Sequence, residues 1–339
     1  MSKYIRVLGA VVLLALVAWR TDWEHVGAAF SRMRPGYFLA AVLLYLCAQV
    51  VSGLRWRLLA RAQGFDGSRL RYIAYNFIGT FFNLALPTSV GGDVARAWYL
   101  GRGSGKGSQA VLSVLADRLN GLYVLIGMAF LAALVVPLPP WALAFVLLSA
   151  GVAAAGLALL WLASRERQRP EPCQNPPVAD ASGSPTGWQK RWHEMADALA
   201  FYRRSPRLLG SATLLSLAVQ LLNVLLVWCL AGAVGAPVPL AFCFVLMPIV
   251  ILLTLAPVSV NGMGVREGAT LLLLRPLGVA DGQAIALSLL WFSVFLAAGL
   301  TGGVWWLTGR LPRCEVPGDA ERLCGDPDQG RAGQPATAA

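Results

Sequence analysis

The chain has 339 residues, of which 57% are hydrophobic and only 13% charged, with a mean hydropathy of +0.61. A soluble domain carries roughly a quarter charged residues, so this composition excludes one and indicates a polytopic membrane protein. The formal net charge of +11 does not signal a nucleic-acid partner, because the basic residues gather at the ends of apolar segments, as topology signals and headgroup contacts do.

Several apolar runs reach the ~20 residues that cross a bilayer. Lys3 and Arg6 stand at the head of the first, Tyr4 to Trp19. It resembles a signal peptide, but Trp19-Arg20 offers no cleavage site, so the reading is a retained first span. Trp23, Val26, Phe30 and Met33 then share one helical face and predict a helix lying in the membrane interface. The second span is Gly36 to Leu59, where Arg55 and Arg57 read as snorkelling anchors. Tyr72 to Leu100 is apolar but broken at Pro87 to Gly92. Asn120 to Val136 is the third span and Trp141 to Ala163 the fourth. The polar stretch 164–207 reads as a cytoplasmic insertion, flexible over Gln168 to Gly187, with a second interfacial face of Trp188, Trp192, Met195 and Leu199. Leu208 to Ala231 is the fifth span, Leu240 to Leu274 is broken at Pro257 to Gly264, and Ala284 to Leu307 is the sixth. The Gly- and Pro-rich residues 310–339 read as a disordered tail.

Loop charges set the orientation. Five arginines lie between Arg55 and Arg71, and eight Lys or Arg between Arg165 and Arg207; the turns at Pro137 to Pro140 and Gly235 to Pro239 have none. The positive-inside rule places both termini and the basic loops in the cytoplasm. With six spans this requires each broken segment to return to its own side, the first (about 72–100) entering from inside and the second (about 240–274) from outside.

The two broken segments carry the same phrase. Pro87-Thr-Ser-Val-Gly-Gly-Asp-Val-Ala-Arg96 recurs 170 residues later as Pro257-Val-Ser-Val-Asn-Gly-Met-Gly-Val-Arg266. Other landmarks recur at an offset of 171: Phe30 with Phe201, Arg32 with Arg203, Pro35 with Pro206, and Gln49 with Gln220. The expected fold is therefore an all-α polytopic membrane protein of two inverted repeats, 1–137 and 138–309, each with three transmembrane helices and one re-entrant helical hairpin. Broken helices at matching positions in two halves mark a transport site.

The candidate site follows from these phrases. In the first, Asn83, Pro87, Ser89, Gly91 and Gly92 make a tight turn with exposed backbone. Asp93 opens the outgoing half-helix three residues before Arg96; the two form either a structural cap and ion pair or, with the helix N-terminus, a site for an anionic group. In the second, Ser259, Asn261, Gly262 and Gly264 precede the charged pair Arg266 and Glu267, where either Arg266 meets a phosphate and Glu267 neutralises it in the empty site, or the two form a buried ion pair that fixes the hairpins against each other. Ionisable residues at membrane depth default to function. Asp117 and Arg118 read either as a solvated pair at the cytoplasmic rim or, if the third span begins near Ser108, as an intramembrane pair. No cofactor is expected. The six cysteines show no disulfide or zinc spacing, and Cys47, Cys229 and Cys243, which lie in apolar runs, are expected to pack as small apolar residues. His25 and His193 belong to no metal cluster, and Gly101 to Ser108 fails the Walker A pattern.

Leu86 to Arg96, Asp117-Arg118 and Asn261 to Glu267 together resemble the transmembrane region of lysylphosphatidylglycerol synthases, a region that also occurs alone as flippase-like membrane proteins, over about residues 1–310. The resemblance implies translocation of a lipid, whether phospholipid, hopanoid or isoprenoid-linked, along a path between the hairpins. Only about thirty polar residues follow the sixth span, so it does not carry over the synthases' aminoacyl-transfer chemistry, and no catalytic cluster is visible. The expectation is a lipid flippase-like transporter with membrane lipids as its partners, no nucleic acid, and room for a homo-oligomer. The alternative is a non-transporting accessory that recruits a lipid-modifying or glycan-assembly enzyme.

Overall fold

Pro35 and Pro206 each stand in the first turn of a long helix, a position where the missing N–H removes no hydrogen bond and the fixed φ favours the helix. The structure, a computed structural model, describes residues 27, 31, 33–85, 90–102, 105–166, 205–255 and 262–308. Among these residues the regular elements are helical: α1 (Pro35–Ala62), α2 (Arg69–Ala85), α3 (Gly91–Gly101), α4 (Gly107–Ala133), α5 (Pro140–Glu166), α6 (Pro206–Ala233), α7 (Leu240–Thr254), α8 (Val265–Leu274), a single 3₁₀ turn (Arg275–Leu277) and α9 (Asp281–Thr308). Five of them, α1, α4, α5, α6 and α9, are long and apolar enough to cross a membrane. The chain is an integral membrane protein. The predicted first span, the interfacial face at 188–199 and the tail lie outside the described residues; of the first interfacial stretch, Gly27 and Ser31 are helical.

α1 and α6 run antiparallel along their lengths. The Arg34 amide at the head of α1 donates to the Ala233 carbonyl at the end of α6 (3.0 Å), and Leu59 meets Ala212 at the opposite ends. The shorter helices fill the flanks of this pair. α2 packs on α1, α3 and α9; α7 packs on α6, α8 and α4; α3 packs on α4, and α8 on α9. Small residues permit close helix contact, as expected where lipid-like side chains give little drive to associate. A Cβ on Gly302 of α9 would lie 2.0 Å from the Phe77 carbonyl oxygen of α2, and one on Gly53 of α1 would lie 2.9 Å from the Ile73 Cα.

The ends of the broken segments meet. Lys106, before α4, donates its Nζ to the Gly64 carbonyl before α2 (3.3 Å). Trp56, Ala60, Phe65, Tyr72, Leu100 and Ala110 form one buried cluster, drawn from the end of α1, the start of α2, the end of α3 and the start of α4. At the other segment, Gln283 in the first turn of α9 donates to the Val234 carbonyl before α7 (3.2 Å).

Two expectations need correcting. The third span begins at Gly107, about three and a half turns earlier than the predicted Asn120, because Ala110, Val114 and Leu125 continue one apolar face through the polar Asp117 to Asn120 stretch. Of the cysteines expected to pack as small apolar residues, Cys229 and Cys243 are buried, but Cys47 is exposed on α1.

Candidate functional site

The site is built where α1, α3, α4 and α6 converge. Asp117, 1% exposed, is its centre. It accepts from Arg55 Nε through Oδ1 (2.8 Å) and from Arg96 Nη2 through Oδ2 (3.0 Å), so one carboxylate bridges two buried guanidinium groups. Asp117 is ten residues into the 27-residue α4, about 15 Å from its start. Its burial removes the solvated pair of the rim reading for this residue. Arg118 turns to the other side of α4 and grips Asp93 with Nε on Oδ2 (2.8 Å) and Nη2 on Oδ1 (2.8 Å). Its side chain is 49% exposed against 17% for Asp93.

Asp93 is in the first turn of α3 as predicted, but Val90 is the N-cap and Asp93 caps nothing. Its expected partner Arg96 is the longer contact, Nη1 to Oδ1 at 3.7 Å. Arg96 instead lies against the Trp56 ring, with Cζ 4.2 Å from the ring centroid, a contact that favours the cation when both are desolvated. Trp56 is anchored by its Nε1 donating to Ser113 Oγ (3.2 Å).

α6 completes the cluster with one polar face. Arg55 Nη1 donates to Ser216 Oγ (2.8 Å), Ser216 donates to Asn120 Oδ1, Asn120 Nδ2 donates to Thr213 Oγ1 (3.1 Å), and Gln220 Nε2 donates to the Gly121 carbonyl (3.2 Å). Arg55 reads as a snorkelling anchor from its place in the sequence, yet it is 6% exposed. Its side chain turns inward to Asp117 and Ser216 instead of outward along α1. Sequence reasoning also passes over Trp56, Ser113, Asn120, Thr213 and Ser216. A usable signal is present in α6, where Thr213, Ser216 and Gln220 fall at i, i+3 and i+7 on one helical face.

The glycines of the first turn hold α3 against α2. Asn83 Oδ1 accepts from the Gly92 amide (2.8 Å), and a Cβ on Gly92 would lie 2.0 Å from the Gly79 carbonyl oxygen. Gly91 starts the helix beside it. Pro87 and Ser89 lie outside the described residues, as do Ser259 and Asn261 of the second turn.

The second charged pair is compact. Arg266 Nη2 donates to Glu267 Oε1 (2.8 Å), and Ser288 Oγ donates to the same oxygen (3.1 Å) while accepting from Arg266 Nε (3.2 Å). Glu267 Oε2 accepts from the Gly264 amide (2.6 Å) and so holds the first turn of α8. Gly262 and Gly264 have φ of +74° and +81°, which glycine adopts without the penalty of a Cβ. Arg266 is 3% and Glu267 4% exposed.

An apolar cavity of ≈ 580 Å³ lies between α4, α6 and α7, lined by Val124, Met128, Leu131, Leu217 and Phe244 among others. None of its lining comes from α3 or α8. The hydrogen-bonded Asn120 and Thr213 sit one turn before Val124 and Leu217, so the polar network and the cavity are neighbours on the same helix faces. Among the described residues there is no group of three or more His, Cys, Asp or Glu side chains able to hold a metal.

The family described as the lysylphosphatidylglycerol synthase TM region matches residues 4–303. The chain belongs to this family. Among its relatives, a UPF0104 membrane protein of Methanothermobacter thermautotrophicus is 23% identical over 306 residues, covering 83% of this chain and 87% of the relative. A UPF0104 membrane protein of Pyrococcus horikoshii is 26% identical over 142 residues, which span 40% of this chain and 42% of that protein. No solved structure gives a significant match. Within the transmembrane-region family, the residues quoted for the resemblance fall on the two charged clusters: Asp93, Arg96, Asp117 and Arg118 on one, Arg266 and Glu267 on the other.

Proposed function

We propose that this protein is a flippase-like lipid transporter of the cytoplasmic membrane, moving a lipid with a polar or anionic headgroup, and not an enzyme. The observation that carries the reading is the ion cluster around Asp117, buried ten residues inside the apolar helix α4. Charged groups at that depth are costly, and a headgroup in transit is the kind of ligand they serve. The neighbouring apolar cavity gives an acyl chain a place beside the polar network.

The architecture in this proposal is a pair of inverted repeats with α2–α3 and α7–α8 as re-entrant segments. Two features support it. Exchanging α1 with α6, α2 with α7, α3 with α8 and α4 with α9 maps the pairing α2·α9 onto α7·α4, α3·α4 onto α8·α9, and α1·α4 onto α6·α9. The Lys106–Gly64 and Gln283–Val234 contacts bring the entry and exit of each segment together. The basic loops then orient both termini to the cytoplasm.

In a cysteine-free background, Lys106→Cys should be labelled by an impermeant maleimide only from the cytoplasmic side, and Pro237→Cys only from outside. Labelling of both from one side would remove the inverted arrangement. Function is tested with the protein reconstituted into vesicles that carry a fluorescent-headgroup phospholipid. Quenching by external dithionite should exceed the half expected for a static bilayer, and Arg96→Gln should return it to that half. Quenching that stays at half with the wild-type protein across anionic and zwitterionic lipids would overturn the transport reading.

A further inference from the structure

The repeats are not chemically equivalent, and the difference assigns the ligand. At the offset of 171 residues, Asp117 corresponds to Ser288, Arg55 to Leu226 and Arg118 to Leu289. The structure bears out the first correspondence, since Arg96 reaches Asp117 and Arg266 reaches Ser288. The second half thus has one arginine and one glutamate, and Ser288 and the Gly264 amide complete the bonding of Glu267. It is electrically closed. The first half has Arg55, Arg96 and Arg118 against Asp93 and Asp117, an excess of one positive charge.

Arg118 is half exposed, so the buried part of this excess lies on Arg55 and Arg96, which share the single carboxylate of Asp117, and an uncompensated buried charge is costly without a counter-ion. The first half also holds an unused donor. Arg96 is 5% exposed, and its Nε–H has no acceptor among the described residues. A buried unpartnered donor calls for an explanation, and a ligand supplies one. We propose that the first-half cluster is a binding site for a single negative charge of the phosphodiester class, completed by Arg96 Nε and the Arg55 guanidinium, and that the Arg266–Glu267–Ser288 unit is a closed structural pair that takes no anion. That the phosphodiester belongs to a lipid rests on the transport reading above. The anion site itself rests on the charge count and the free donor.

The test uses the full-length protein in detergent and three probes: dihexanoyl phosphatidylglycerol, dihexanoyl phosphatidylcholine and glycerol 1-phosphate, with affinity read from ligand-dependent thermal stabilisation. Phosphatidylglycerol should bind about tenfold more tightly than phosphatidylcholine, which makes the same phosphodiester contacts but brings its choline cation beside a cluster that already has a positive charge in excess. Arg55→Gln balances the charges of the cluster, so it should fold and lose about tenfold or more of that affinity. Arg55→Lys keeps the charge without the planar fork and should retain part of it. The double change Arg266→Gln with Glu267→Gln and the surface control Arg61→Gln should keep the wild-type affinity.

Equal binding of the two lipids, an unchanged Arg55→Gln, or equal losses in the double variant would each overturn the proposal. Glycerol 1-phosphate binding as tightly as the anionic lipid would support the anion site while removing the lipid as its ligand. Anionic-lipid selectivity without vesicle transport would support the site and remove the transporter.

Discussion

Asp117→Asn should cost most of the folded yield, more than any other single side-chain change in the molecule. It leaves Arg55 and Arg96 facing one another through a neutral amide with no carboxylate between them. Breaking a buried ion pair from one side costs about 3–5 kcal/mol, a large part of the roughly 5–15 kcal/mol that holds a domain together. Here two cations lose one shared partner. Glu267→Gln should be milder, because it leaves one buried arginine rather than two without a carboxylate, although the single amide oxygen can serve either the Gly264 amide or Ser288 and not both. The double change Arg55→Leu with Asp117→Ser copies the residues at the equivalent second-half positions, Leu226 and Ser288. It should recover yield beyond Asp117→Asn alone, since one unpaired cation goes with the carboxylate. The measurement is monodisperse protein recovered by fluorescence-detected size exclusion. Wild-type yield from Asp117→Asn would show that the carboxylate is not the keystone of the cluster.

The other large effect lies in backbone contact. Gly92→Ala would set a Cβ 2.0 Å from the Gly79 carbonyl oxygen and 2.7 Å from the Asn83 amide group. A carbonyl oxygen cannot rotate away as a side chain can, so α2 and α3 must separate. Overpacking of this kind costs about 1–3 kcal/mol where side chains can adjust and more where they cannot. Parting the helices also moves Arg96 from Asp117. Both yield and headgroup transport should fall, and Gly302→Ala, whose Cβ would meet the Phe77 carbonyl oxygen at 2.0 Å, should behave alike. Gly210→Ala has nothing within 4 Å and lies inside α6; it should be neutral or stabilising by up to about 1 kcal/mol. Equal tolerance at Gly92 and Gly210 would refute the close approach.

Much of this fold is legible in the amino-acid sequence alone. Period, length and composition place the five long helices, because a bilayer demands some twenty apolar residues per crossing. The recurring Pro, Gly and Arg phrase marks both broken segments, because glycine and proline interrupt helices for steric reasons local to the chain. Gly92 and Gly262 hold equivalent places in the two turns, where either positive φ or close approach calls for glycine. Gly92 meets the contact condition, and Gly262 meets both, with φ of +74° and a Cβ that would lie 2.6 Å from Thr254 Cγ2.

Which charges face one another is decided by the tertiary structure. Arg55 reads as an anchor because a charge near a span's end can reach water, and only the packing of α1 against α4 and α6 closes that route and delivers it to Asp117 and Ser216. Asp93 and Arg96 read as partners because they are three residues apart, yet α4 brings Arg118 to Asp93 and Asp117 to Arg96 from more than twenty residues away. Local spacing fixes where a side chain leaves its own helix. Which side chain it meets depends on the positions of the neighbouring helices, and in this protein that tertiary choice produces one neutral pair and one cluster with a positive charge to spare.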